Sequence, residues 1–562
     1  MTRLIKSVLL VGVMLAACNP TQTGPPVPRP MVPAAAAPST SVVVSTTSPD
    51  GSSDAAVADQ CDAALCLVYH IDPGATWADG DPVTAADFAH TVDVYRDPAQ
   101  PAMGAGYSAI EVVEVVDEQT IRLELAEGHG PWQTLFSRVF RDGDPATTLQ
   151  GLDTSGPFTF LEWAEGEPLT VARDLTWWPE DDPLSGDLAG DIAQIRFVFI
   201  DTLEGMVDAL EAGEVDVISA RPDGEMMERL RDMEDVEIGL APGPFWEHID
   251  FHHEDPTLSS HWVRLAIAHA IDREEILDRT VRLLDPGAST LDNTIWMSNT
   301  VNYEPHFGVA HDPDRAEQLL IDNGCSRGGD GIYVCDGTRM SFVWATTSDD
   351  PARREIFDAV REDLDVIGVE IRPDFRSPSA FVTRDFLFGG TDSWQMVNFS
   401  WRAWPDPASS HSTYLCGEAG ELNVNRYCSE EVARLIRSAD SIVDPVERAA
   451  AYNEADRIYL DDLALIPLYQ KPDLMAWRTG ISGPQPNFSV SSDLWNIASW
   501  TGPASITVAL PQEPLIIDPR STSDDSVNVV LGTLLHGAHG MTPSHEYVPV
   551  LVDSVDVIEG NP

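Results

Sequence analysis

Three groups of side chains in this sequence have types and spacing suited to chemistry: histidines interleaved with carboxylates, aromatic rings set beside charge, and cysteines. From Phe245 to His252, alternation puts His248, Asp250 and His252 on one face of a strand. Three groups along one strand rarely converge on a tetrahedral point, so they read as lining a cleft or facing solvent, and no metal is expected. The stretch Asn398 to Pro407, NFSWRAWPDP, sets Trp401 and Trp404 beside Arg402 and Asp406. Aromatic walls supply contact area, and a fixed guanidinium or carboxylate supplies orientation. Against this stands an absence of catalytic motifs: no GxSxG elbow, no HExxH, no Walker loop and no GxGxxG ahead of a helix. Asp and Glu are so abundant that an imagined glycosidase pair carries no information. The chemistry is that of binding.

The seven cysteines divide into one and six. Arg3 and Lys6 precede an apolar run from Val8 to Leu15, and Leu15-Ala16-Ala17-Cys18 reads as a lipobox, whose cysteine is acylated and becomes the mature N-terminus. Residues 1–18 are therefore expected to be a lipoprotein signal peptide. It would anchor the chain outside the cytoplasm, on the outer face of the cell membrane or in a periplasm. The other six are near neighbours, Cys61 with Cys66, Cys325 with Cys335 and Cys416 with Cys428, and three short-loop disulfides are expected. Residues 19–60, rich in Pro, Ala, Ser and Thr, cannot build a core and read as a disordered tether. With 91 Asp and Glu against 34 Lys and Arg, the formal net charge of -57 repels nucleic acid and favours solubility.

Behind these residues stand elements that must hold them. Leu258 to Val281 reads as one amphipathic helix, with Val263, Ile267, Ala270 and Ile271 on its stripe and Arg264, His269 and Glu275 off it. Leu67 to Ile71 alternates like a strand, and Thr84 is a plausible N-cap for a helix through Phe88, Val92 and Tyr95. Ile195 to Ile200, Thr202 to Ala212 and Gly213 to Ile218 give strand, helix, and a turn into a strand, a pattern that implies parallel pairing.

The order of residues across these elements resembles the family 5 extracellular solute-binding proteins, the peptide- and nickel-type receptors of ABC importers. Val263-Arg264, Ala266-Ile267 and Ala270-Ile271-Asp272-Arg273 follow the family's VRxAIxxAIDR signature. Trp77 to Asp87 resembles its "W.DG.P.TA.D" motif, Gly213 to Asp216 its "GEVD", and Ile466 to Tyr469 its "IPLY". The resemblance implies an α/β fold of the two-lobed periplasmic-binding-protein-like kind, class II with an extra subdomain, closing over a ligand by hinge motion. Lobe II would span 245–470, and lobe I would combine 61–244 with 471–562. The last segments, Ile506 to Pro514, Ser526 to Leu535 and Val548 to Val557, resemble the family's opening strand, first helix and following segment. The chain therefore reads as a circular permutation, a rearrangement that surface termini tolerate.

By the same resemblance Trp401, Arg402, Trp404 and Asp406 are candidate ligand contacts, together with Trp246 and His248. The loop is one residue shorter than in peptide-binding members, whose aspartate just before the aromatic grips a peptide's amino terminus. Here Ala403 runs straight into Trp404, and Arg402 is placed to meet a carboxylate instead. His536 and His539 fall where relatives carry a cleft loop, and with His248 or His252 they form an alternative set for a metal chelate. The expected role is a monomeric, non-enzymatic receptor, without cofactor, that delivers an oligopeptide or similar solute to an ABC permease and its ATPase. A sensory or chaperone-like receptor on the same fold is the alternative, and a lipid-anchored hydrolase fits least.

Overall fold

The computed structural model describes residues 61–560 apart from 98–105, 146, 180–183, 185–189, 418–420, 488–492, 515–516 and 521–524. Cys18, the signal peptide and the tether lie outside the described residues. In chain order the strands are β1 (Leu65–Ile71), β2 (Ile110–Val115), β3 (Thr120–Leu125), β4 (Phe158–Glu162), β5 (Leu169–Arg173), β6 (Gln194–Phe199), β7 (Val217–Ala220) and the long β8 (Val236–Phe251). There follow β9 (Ser326–Arg327), β10 (Tyr333–Cys335), β11 (Thr338–Arg339), β12 (Ser341–Thr347), β13 (Glu370–Arg376), β14 (Met396–Arg402) and β15 (Leu465–Arg478). The tail adds β16 (Ser505–Leu510), β17 (His539–Met541), β18 (Tyr547–Pro549) and β19 (Val552–Glu559). One large sheet runs β13-β12-β14-β8-β15-β7-β16-β6-β5-β4, and a smaller one runs β19-β1-β3-β2.

Burial divides this sheet into two lobes. One core is built from residues between Trp246 and Tyr469. The other lobe has a large core from residues between Leu65 and Val217 and between Met475 and Val552, with Val443 reaching in from the first, and a smaller core from Met206 to Leu230 with Leu474, Ala476 and Ala509. Local signals explain many of the element starts. The Asp87 carboxylate accepts from the Thr84 N–H at 2.7 Å and from its hydroxyl at 3.0 Å, which fixes the start of the helix Ala85–Tyr95. Asp312 and Asp444 cap their helices in the same side-chain-to-backbone manner. The three expected disulfides are all formed.

Two expectations are corrected. Leu258 to Val281 is not one helix but two, His261–Ala270 and Arg273–Arg279. Ile271 is extended, and the Asp272 carboxylate accepts from the Glu274 and Glu275 N–H groups, restarting the helix. Arg264 lies off the apolar stripe without facing solvent. It is buried, and its guanidinium donates to the carbonyls of Leu258, Ser259, Asp462 and Leu463 at 2.6–3.0 Å. The second correction concerns β6 and β7, which are parallel but do not pair with each other. β16, from the far end of the chain, lies between them and pairs in parallel with both, Val508 standing opposite Phe197 on one side and Val217 on the other.

β16 is buried on both faces, with Ile506, Val508, Ala509 and Leu510 all at 2% exposure or less. β19 pairs along the whole of β1, from Leu65 opposite Glu559 to Ile71 opposite Val552. The tail therefore supplies an interior strand of the large sheet and the edge strand of the smaller one. A chain ending at Gly502 is expected to lose the cooperative unfolding of lobe I, read by circular dichroism during urea denaturation. Wild-type unfolding of that truncated chain would show that β16 is dispensable.

Candidate functional site

The chain passes from one core to the other along β8 and returns along β15. These strands pair antiparallel from Leu465 opposite Asp250 in lobe II to Arg478 opposite Val236 in lobe I, with register shifts between Pro467 and Tyr469 and between Gln470 and Pro472. The second shift faces the stretch from Pro242 to Trp246, and the Gln470 amide donates to the Gly243 carbonyl at 2.8 Å. Only glycine fits there, because a Cβ on Gly243 would stand 2.8 Å from the Asp473 carboxylate and 2.9 Å from the Lys471 carbonyl.

Register carries the parallel strands of both lobes to this crossing. The C-terminal residue of β14, Arg402, stands opposite Phe245, and the C-terminal residue of β7, Ala220, stands opposite Leu474. Side chains just beyond strand C-termini are where open α/β sheets bind ligands. From lobe II come Arg402 and Trp404, with the guanidinium 5.0 Å from the Trp404 ring centroid and 5.9 Å from that of Phe245. From lobe I come Arg221, 4.1 Å over the Phe245 ring and 3.6 Å from Asp473, and Asp525, 3.5 Å from Arg402.

The lobes also touch directly. The Asn299 amide donates to the Pro543 carbonyl at 3.0 Å and the Val301 N–H to Ser544 at 3.1 Å, joining lobe II to the turn between β17 and β18. On another side the Gly130 N–H donates to Asp440 at 2.8 Å and the Trp132 indole to Val443 at 3.3 Å. His545, Met297, Asn299, Gln470 and Gly243 line a narrow crevice with room for about one water molecule.

The remaining residues expected at the site fall elsewhere. Trp246, His248 and Trp401 are buried in lobe II, where the His248 and Trp401 rings stack at 6.1 Å and the His248 Nε2 is 3.1 Å from Asp250. Asp406 is held by Arg448 in a bidentate pair at 2.6 and 2.7 Å, both side chains being buried, and also caps the turn Pro407–Thr413. His536 stacks on Trp177 at 5.5 Å, and His539 packs edge-on to Trp132 at 5.6 Å. These two do not meet His248, nor His252, which faces the Gly389 carbonyl at 3.3 Å. Among the described residues the one trio of ligating groups within reach of one another is Cys416, Cys428 and Glu430, and both its sulfurs are spent in a disulfide. The histidine set for a metal chelate is not assembled.

A buried charge network beside the hinge escaped sequence reasoning. Glu247 is fully buried, and it accepts from Arg353 at 3.1 and 3.2 Å, Ser400 at 2.6 Å, Asn398 at 3.0 Å and Lys471 at 3.3 Å. Burial pushes its pKa up, but the Arg353 and Lys471 charges and the Ser400 hydroxyl outweigh that and hold it well below the usual carboxylate range. Its one trace in the sequence is a carboxylate between Trp246 and His248, on the opposite strand face from His248 and Asp250.

The family model of the bacterial extracellular solute-binding proteins, family 5 (middle region), matches residues 55–421. The chain belongs to this family. Among curated family 5 relatives, the oligopeptide-binding protein OppA of Mycobacterium tuberculosis is 25% identical over 439 residues, covering 74% of this chain and 71% of that protein. Among solved structures, the periplasmic EDTA-binding protein EppA superposes with a TM-score of 0.63 at 20% identity, covering 78% of this chain and 84% of that one. The oligopeptide-binding protein AppA of Bacillus subtilis, in complex with a nonapeptide, gives a TM-score of 0.52 at 21% identity, covering 79% and 88%. As a family 5 member the protein binds solute and is not an enzyme.

Two expectations follow for this family 5 protein. Asp406→Asn leaves the Arg448 charge buried and uncompensated, which costs about 3–5 kcal/mol. Urea unfolding without ligand should register that loss, and unchanged stability would free Asp406 to be a ligand contact. Burial pushes His539 and His545 down to about 4 from an ordinary 6.5. Their contribution to stability is complete above pH 6.5 and is lost as pH falls toward 4, because only the unfolded chain takes up those protons in that window. Between pH 7 and 5 the wild type should therefore lose more stability than the H539N/H545N variant, and equal losses would place both imidazoles in water.

Proposed function

We propose that this protein is the extracytoplasmic receptor of an ABC importer and captures an oligopeptide or similar solute between its lobes. The observation that carries the reading is the convergence of aromatic and charged side chains from both lobes on the crossing of β8 and β15. A solute seated there touches both lobes, so its binding favours the closed form, which is what a permease would recognise. The names of the oligopeptide-binding relatives support a peptide-like cargo.

In this reading Cys18 carries the lipid anchor, residues 19–60 are the tether, and the folded body works as a monomer beside its permease and ATPase. Lobe I would be completed by a circularly permuted segment. Support comes from β16 filling an interior position of the large sheet and β19 flanking β1. Among the described residues no helix is long and apolar enough to cross a membrane.

Thermal unfolding of residues 59–562 against a peptide panel tests the cargo. A peptide at a hundred times its dissociation constant should stabilise the protein by about 2.7 kcal/mol, visible as a raised midpoint. A panel in which chelates or sugars raise the midpoint and peptides do not would remove the peptide assignment.

A further inference from the structure

We propose that Arg221 and Arg402 form a clamp, one arm on each lobe, for a carboxylate of the ligand. The inference rests on the receptor reading above and names the chemical group that the site takes. Three buried arginines elsewhere in this protein have acceptors for their guanidinium groups. Arg264 serves four carbonyls, Arg353 serves Glu247, Thr347 and Ser400, and Arg448 serves Asp406 and Ala439. Arg221 and Arg402 differ: among the described residues their side chains meet carboxylates only at 3.6 and 3.5 Å, beyond good hydrogen-bond length.

The Arg221 Nε is buried without a hydrogen-bond partner, and its nearest carboxylate is that of Asp473 at 3.6 Å. Both guanidinium groups keep donors to spare, and what satisfies such a pair of donors is an anion. A carboxylate matches the planar fork of a guanidinium, and the Phe245 ring, stacked under Arg221 and near Arg402, holds both side chains in place. Arg221 follows β7 of lobe I and Arg402 ends β14 of lobe II, so one carboxylate between them is gripped twice only when the lobes meet. Asp473 and Asp525 occupy that role loosely and yield to the ligand.

The test compares peptides as free acids, C-terminal amides and N-acetylated forms, with citrate as a non-peptide carboxylate, by calorimetry on residues 59–562. The proteins are wild type, R221Q, R402Q and R402K, each first shown to keep the wild-type unfolding midpoint without ligand. The expected result is at least a tenfold weakening on C-terminal amidation and in R221Q and R402Q, little effect of N-acetylation, and partial recovery in R402K. Peptide binding that is indifferent to amidation and to both glutamine variants overturns the clamp and leaves the peptide reading standing. Binding of citrate but of no peptide, lost in R221Q and R402Q, upholds the clamp and removes the peptide reading. If neither peptides nor citrate bind, both fall.

Discussion

The antiparallel pairing of β8 with β15 is the constraint on which the rest of the molecule depends, because it is at once the inner edge of two cores and the bridge between them. A continuous ladder would make the bridge a stiff plank. Here it is broken where it leaves each core: β15 shifts register on both sides of Leu468 to Lys471, and β8 carries Pro242 and Pro244, which have no N–H to give. The strands are bound firmly within each lobe and loosely between, which is the mechanical content of a hinge.

Lys471 shows how one end of that hinge is secured. It lies in the shifted segment of β15 and reaches into lobe II, to Asp350 at 2.7 Å and to the buried Glu247. A buried ion network is weak evidence for net stability, since desolvation offsets much of the attraction. What it does supply is position, because a charge left without its partners there is costly. The lobe II end of the hinge is thereby tied to the helix Pro351–Val366 through Arg353, while the lobe I end, at Pro472 and Asp473, stays beside the clamp residues.

Much of this was legible in local sequence. The cap at Thr84, the paired cysteines, and the alternation of Phe245 to His252 all follow from neighbours a few residues apart. The failures share a different cause. The break at Ile271 depends on an Asp272 cap whose side chain could equally have faced solvent. Glu247 and Arg353 are more than a hundred positions apart, and no spacing rule connects them. Trp246, His248 and Trp401 read as cleft residues because aromatic and imidazole rings suit ligands, yet the same rings suit a core, and burial decided between the two. Arg221 carried no signal, since an arginine after a short strand is ordinary until the other lobe arrives beside it.

The position of β16 sets the order in which the molecule can be made. Lobe II is an uninterrupted stretch, so it is complete as soon as Tyr469 has emerged, whereas β6 and β7 wait, unpaired on their facing edges, for a strand some three hundred residues later. β1 waits longer still for β19. Closing contacts across such separations is slow, and open strand edges invite pairing with other chains in the interval. During secretion, then, the late lobe is the vulnerable one: for a time the finished lobe hangs from an unfinished neighbour, and the hinge exists before one of the two bodies it is to move.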